Sequence, residues 1–115
     1  MKTIQLTGVG NALVDLEVQV SDAEFASFGL TKSTMALTSP ERQREMIESL
    51  AGKTIHRSSG GSAANSIIAF AQFGGKGAYN SLLGADQLGS FYAEEFSELG
   101  INLHARHIAG ESTGT

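Results

Sequence analysis

Apolar and polar residues alternate from Leu13 to Val20, with Leu16, Val18 and Val20 set between Asp15, Glu17 and Gln19. A period of two predicts a strand buried on one face. Before it, Thr3 to Val9 reads as a first strand that stops at Gly10. The period then changes. Ser21-Asp22-Ala23-Glu24 has capping-box spacing and predicts a short helix from Asp22 to Phe28, closed by Gly29. Thr34 to Thr38 reads as a short strand. Ser39 as N-cap, Pro40 at the first helical position and Gly52 past the end delimit a second helix. Met46, Ile47 and Leu50 form its apolar stripe, and Glu41, Arg42, Arg44, Glu45 and Glu48 form a solvated face.

Thr54 to Arg57 is expected to be a short strand leading to Gly60-Gly61. Beyond that pair, Ala64, Ile67, Ile68 and Ala71 recur at helical spacing, which predicts a helix from Ser62 to Phe73 with Ser62 as its cap. Phe70 and Phe73 are assigned to the core, and Gly74-Gly75 ends the helix. Ala78 to Leu83 reads as a strand, Leu88 to Leu99 as a helix capped by Asp86 and stopped by Gly100, and Leu103 to Ile108 as a last strand. Strands alternating with helices predict an α/β fold with a largely parallel sheet.

Composition narrows the function. A chain of 115 residues, 41% hydrophobic and 17% charged, is one ordinary domain able to bury a core. A formal charge of −4 argues against a nucleic-acid partner. The absence of cysteine excludes disulfides, thiol nucleophiles and cysteine-based zinc sites, and fits a cytoplasmic protein. No signal-peptide pattern is visible, and the longest apolar helix candidate is far short of a membrane span. His104 and His107 are three apart on a strand and face opposite ways, so they cannot share a metal; His56 stands alone. Ser112-Thr113-Gly114-Thr115, with no closing helix after the last strand, suggests the N-terminal part of a longer protein.

Two clusters carry candidate chemistry. Gly60-Gly61-Ser62-Ala63-Ala64-Asn65 places bare backbone N–H groups at the start of a helix, where negative charge is favoured and a ligand can approach the main chain. Gly8-Val9-Gly10-Asn11 through Asp15 brings an amide and a carboxylate to the end of the first strand, and these groups grip hydroxyls. Gly8-Val9-Gly10 invites a dinucleotide-binding reading, which fails: the third glycine position holds Leu13, and a strand pattern follows it. The phosphate-loop pattern ending Gly-Lys-Ser/Thr is absent.

Gly60-Gly61-Ser62-Ala63-Ala64-Asn65, then Gly74, then Gly84, resemble the N-terminal signature of the ribokinase-like (PfkB) carbohydrate kinases. Gly10-Asn11 with Asp15 resembles that family's first substrate loop, and Gly84-Ala85-Asp86 with Gly89 its next turn. Asn65-Ser66-Ile67, with Asn11 through Asp15, looks like the adenosine-kinase branch. The resemblance covers essentially the whole chain. It implies a ribokinase-like α/β fold, a largely parallel sheet flanked by helices, with a small β lid built near Leu16–Val20, Met35–Thr38 and Leu103–Ile108. It implies that Asp15 and Asn65 bind sugar hydroxyls, that Asn11 shapes the pocket, that Gly60 and Gly61 form a hinge, and that Met35 and Leu37 make apolar lid contacts. The parent protein would transfer phosphate from ATP, with Mg²⁺, to a sugar or nucleoside hydroxyl. Residues 1–115 would be its substrate-binding and lid portion. The family's catalytic aspartate and nucleotide site belong to a C-terminal half, so no catalytic residue, metal ligand or bound cofactor is expected in this segment. The alternatives are a non-catalytic ligand-binding segment and a homodimer formed through lid strands.

Overall fold

The computed structural model describes residues 3–115. Its elements are β1 (Leu6–Val9), β2 (Leu13–Val18), α1 (Asp22–Ser27), α2 (Pro40–Ser49), β3 (Ile55–Gly60), α3 (Ser62–Gln72), β4 (Gly77–Gly84), α4 (Gln87–Glu98) and β5 (Asn102–Ile108). The chain divides into two compact units, one of residues up to Leu16 together with Arg57–Thr115, the other Glu17–His56. The division falls within β2 and within β3, which pair as a two-stranded sheet.

The larger unit holds the predicted parallel sheet, in the order β1-β4-β5. Leu6 to Val9 align with Gly77 to Asn80, and Ala78 to Gly84 align with Asn102 to Ile108, both in parallel. Helices α3 and α4 pack on it and build one core: Ala12, Val14, Ala64, Ile67, Tyr79, Leu83, Tyr92, Phe96 and Ile101 are buried together. Tyr92 stacks on Phe96 with ring centroids 4.5 Å apart. Gly8 lies where α3 crosses β1: a Cβ there would stand 2.9 Å from Ile67 Cγ1, so the close approach excludes a side chain.

The smaller unit is held by local chemistry. Ser21 caps α1 and completes the predicted box, its hydroxyl accepting from the Glu24 N–H while the Glu24 carboxylate accepts from the Ser21 N–H at 2.8 Å. Lys53 reaches Glu24 at 2.9 Å. These bonds hold the Glu24 carboxyl down at about 2, the Ser21 backbone N–H contributing most and Lys53 next. Ser39 caps α2 and Pro40 opens it, as expected.

Five expectations are corrected. Thr34–Thr38 is not a strand: all its residues are exposed, Met35 at 92% and Leu37 at 97%, and no described strand pairs with it. A short extended segment makes no strand without a neighbour for its N–H and C=O groups. Leu103–Ile108 is no lid strand; it lies in β5 and pairs with β4 throughout, with Leu103 and Ala105 packed against the core. Phe73 is 93% exposed, because it falls at the C-cap of α3, past the buried face. The cap of α3 is Gly61, not Ser62, and no side chain bonds there. Strand β3 also runs on to Gly60, so the double glycine divides between a strand and a cap. No helix among the described residues is long and apolar enough to cross a membrane.

Candidate substrate site

The two clusters singled out above meet within the larger unit. A Cβ placed on Gly60 would stand 2.5 Å from Asp15 Oδ2 and 3.0 Å from Asp15 Cγ, so the carboxylate rests directly on that glycine. A Cβ on Gly61 would collide with the carbonyl oxygen of Asn11. Only side-chain-free residues admit both approaches. Gly61 also takes φ 103°, a conformation that other residues adopt at a cost.

The alternation in β2 explains how Asp15 arrives there. Val14 is fully buried, and its neighbour Asp15 points to the other face and is exposed. Asn11 is exposed in the turn between β1 and β2, and Asn65 is exposed in the first turn of α3, where its N–H donates to the Gly61 carbonyl at 2.8 Å. Asp15, Asn11, Gly60 and Gly61 are thus brought together by direct contacts, with Asn65 four residues along the helix that Gly61 caps. Met35 and Leu37 belong to the smaller unit and are exposed.

Three buried or half-buried hydroxyls hold the loops that carry these residues. Tyr79 donates to the Asn11 carbonyl at 3.1 Å, Ser81 to the Gly10 carbonyl at 2.7 Å, and Tyr92 to the Gly60 carbonyl at 3.2 Å. Burial pushes both tyrosine hydroxyls above their ordinary range, so they remain donors. The sequence reading missed them. Their only signal was a tyrosine at an apolar position of a strand and of a helix. A cavity of about 560 Å³ opens beside the first loop, lined by Val9, Gly10, Asn11, Leu13, Asn80 and Leu82, among others.

Asp86 caps α4 as expected, accepting from the Gly89 N–H at 2.7 Å. Burial alone would raise its carboxyl, but bonds from the Thr113 hydroxyl, the Thr113 amide and the Gly89 amide outweigh that and hold it below the usual range. No three His, Asp or Glu side chains among the described residues gather closely enough to hold a metal ion.

The pfkB family carbohydrate kinase model matches residues 22–115. The chain belongs to that family. Among solved structures it is similar to a probable sugar kinase from Rhizobium etli (TM-score 0.76, 29% identity, 95% of this chain and 32% of that one) and to adenosine kinase from Sinorhizobium meliloti (0.75, 28%, 95% and 33%). Adenosine kinase from Trypanosoma brucei brucei shares the fold at a TM-score of 0.81 and 23% identity, over 94% of this chain and 34% of that one. The chain spans about a third of the length of these structures. No curated protein sequence matches it. The α/β fold with its parallel sheet is the ribokinase-like one.

Proposed function

We propose that this pfkB-family chain is the substrate-binding and lid portion of a kinase that phosphorylates a hydroxyl of a nucleoside or sugar, with adenosine the first substrate to test. The observation that carries the reading is the Asp15 carboxylate resting on Gly60, exposed, beside Asn11 and Gly61. A carboxylate in that position can accept hydrogen bonds from two neighbouring hydroxyls of one ring. The glycines let that carboxylate and the Asn11 carbonyl close on the main chain, which fixes where the carboxylate would meet a sugar. The similarity to a sugar kinase and an adenosine kinase supports the choice of substrate class.

Kinases of this family imply ATP and usually a metal ion, but the side chains described here do not fit that group: they offer no phosphate loop and no cluster of carboxylates. The chain's own work in the reaction is therefore assigned to the acceptor. Asp15 and Asn65 bind hydroxyls, Asn11 shapes the pocket, and the Gly60-Gly61 hinge lets the peptide groups reorient as substrate enters. Phosphoryl transfer depends on holding the acceptor in line and excluding water, so positioning is the contribution expected of this part. Calorimetry with adenosine, ribose and fructose on the chain and on Asp15→Ala tests the reading. Loss of the carboxylate is expected to cost about 1.5–3 kcal/mol of binding. Equal affinity in both proteins removes Asp15 from the site.

A further inference from the structure

We propose that Thr113, acting with Asp86, is a positioning residue that holds the strand carrying Asp15 in register. This deepens the reading above, since it concerns how the same carboxylate is placed.

The segment near Thr113 returns across the carboxyl end of the sheet and touches β2. The Val14 N–H donates to the Gly114 carbonyl at 2.8 Å, and Leu13 and Gly114 form a parallel bridge. One residue back, Thr113 is only 5% exposed and all its polar atoms with a hydrogen to give are engaged. Its hydroxyl donates to Asp86 Oδ1 at 2.6 Å and accepts from the Gly84 N–H at 3.0 Å, while its own N–H donates to Asp86 Oδ2 at 2.8 Å. Asp86 is in turn anchored as the cap of α4. The end of β4, the start of α4 and the segment bonded to β2 are thereby joined through one side-chain pair. Gly84 confirms how close the approach is, for a Cβ there would lie 2.5 Å from both the Glu111 carbonyl oxygen and the Thr113 nitrogen.

The consequence for Asp15 follows from the period of a strand. A slip of one residue in β2 would turn Asp15 toward the core and Val14 toward Gly60. The bond from Val14 to Gly114 opposes that slip at the residue next to Asp15, and Thr113 holds Gly114 in place. Thr113 does not touch the site; it acts through the register of Val14.

Amide hydrogen exchange and adenosine titration on the full chain test this. Thr113→Val keeps the shape and removes the hydroxyl. It is expected to speed exchange at the Val14 N–H roughly tenfold, leave the Phe96 N–H in α4 unchanged, and weaken adenosine roughly tenfold, the loss typical of one strong hydrogen bond. Thr113→Ser should restore both. Asp86→Asn keeps a capping oxygen while weakening the pair, and carries the comparison if Thr113→Val does not fold; it should show the same selective effect, smaller. Unchanged exchange at Val14, or equal acceleration at Val14 and Phe96, overturns the proposal. So does fast Val14 exchange with unaltered adenosine affinity. A wild-type chain that binds neither adenosine nor ribose overturns the proposed function instead, and the exchange data then decide the register role by themselves.

Discussion

The Tyr92 hydroxyl donates to the carbonyl oxygen of Gly60 across 3.2 Å, from a ring that is fully buried. Helix α4 therefore grips the same glycine whose α-carbon the Asp15 carboxylate covers. The end of β3 is held by a core side chain on one account and approached by the candidate ligand group on the other.

Tyr92→Phe should keep the stacking on Phe96 and lose only this bond. Gly60 is buried, so its carbonyl would be left without that donor, at a cost of about 1–3 kcal/mol. Denaturant unfolding measures it. A variant as stable as the parent would show that the bond contributes nothing.

The two glycines should respond differently to alanine. At Gly60 the added methyl takes the place of the Asp15 carboxylate, so Gly60→Ala is expected to weaken binding about as much as Asp15→Ala, roughly tenfold or more. At Gly61 the methyl meets the Asn11 carbonyl and the residue keeps φ 103°, so the loss falls mainly on stability, about 1–3 kcal/mol. Calorimetry and unfolding on both variants separate the two effects. The reverse assignment would contradict the geometry.

Acid should release the Asp86–Thr113 pair. The Asp86 carboxyl is held below its ordinary value of 3.8 in the folded chain. A lowered value means the stabilisation is complete above 3.8 and is lost as pH falls through the lower folded value. Protection of the Val14 amide is expected to be flat from neutrality down to about pH 4 and to fall below it. In Asp86→Asn that acid dependence should be absent.

Glu24 offers an independent titration in the smaller unit. Its carboxyl is held at about 2 rather than 4.5, so the capping box should persist above 4.5 and dissolve as pH approaches the folded value. Carbon NMR of the Glu24 carboxyl checks it. A midpoint at the ordinary value would mean that the box is not formed in solution.

Much of the fold was legible because it rests on neighbours in sequence. Ser21, Ser39 and Asp86 cap their helices by bonding to N–H groups three residues on, and a capping pattern needs nothing from the rest of the chain. The alternation of Val14 and Asp15 was equally local, and so was the run from Ala64 to Ala71. Thr34–Thr38 shows the opposite case: it read as a short strand, but a strand exists only with a partner, and no described strand pairs with it. Leu103–Ile108 was recognised as a strand and given the wrong place, because periodicity says which face is buried and not which strand lies alongside. Thr113 was passed over among small polar residues, since its partners Gly84 and Asp86 lie nearly thirty positions away.

By itself, then, the order of residues determined the helices, the caps at Ser21, Ser39 and Asp86, the parallel α/β class and the two clusters from Asn11 to Asp15 and from Gly60 to Asn65. Those properties depend on spacings of two to four residues. Only the tertiary structure decided that Asp15 rests on Gly60, that tyrosine hydroxyls hold the loops around them, and that Thr113 is tied to the strand beside the carboxylate. Each of these is a contact between residues far apart in the chain, chosen by how the helices and strands pack.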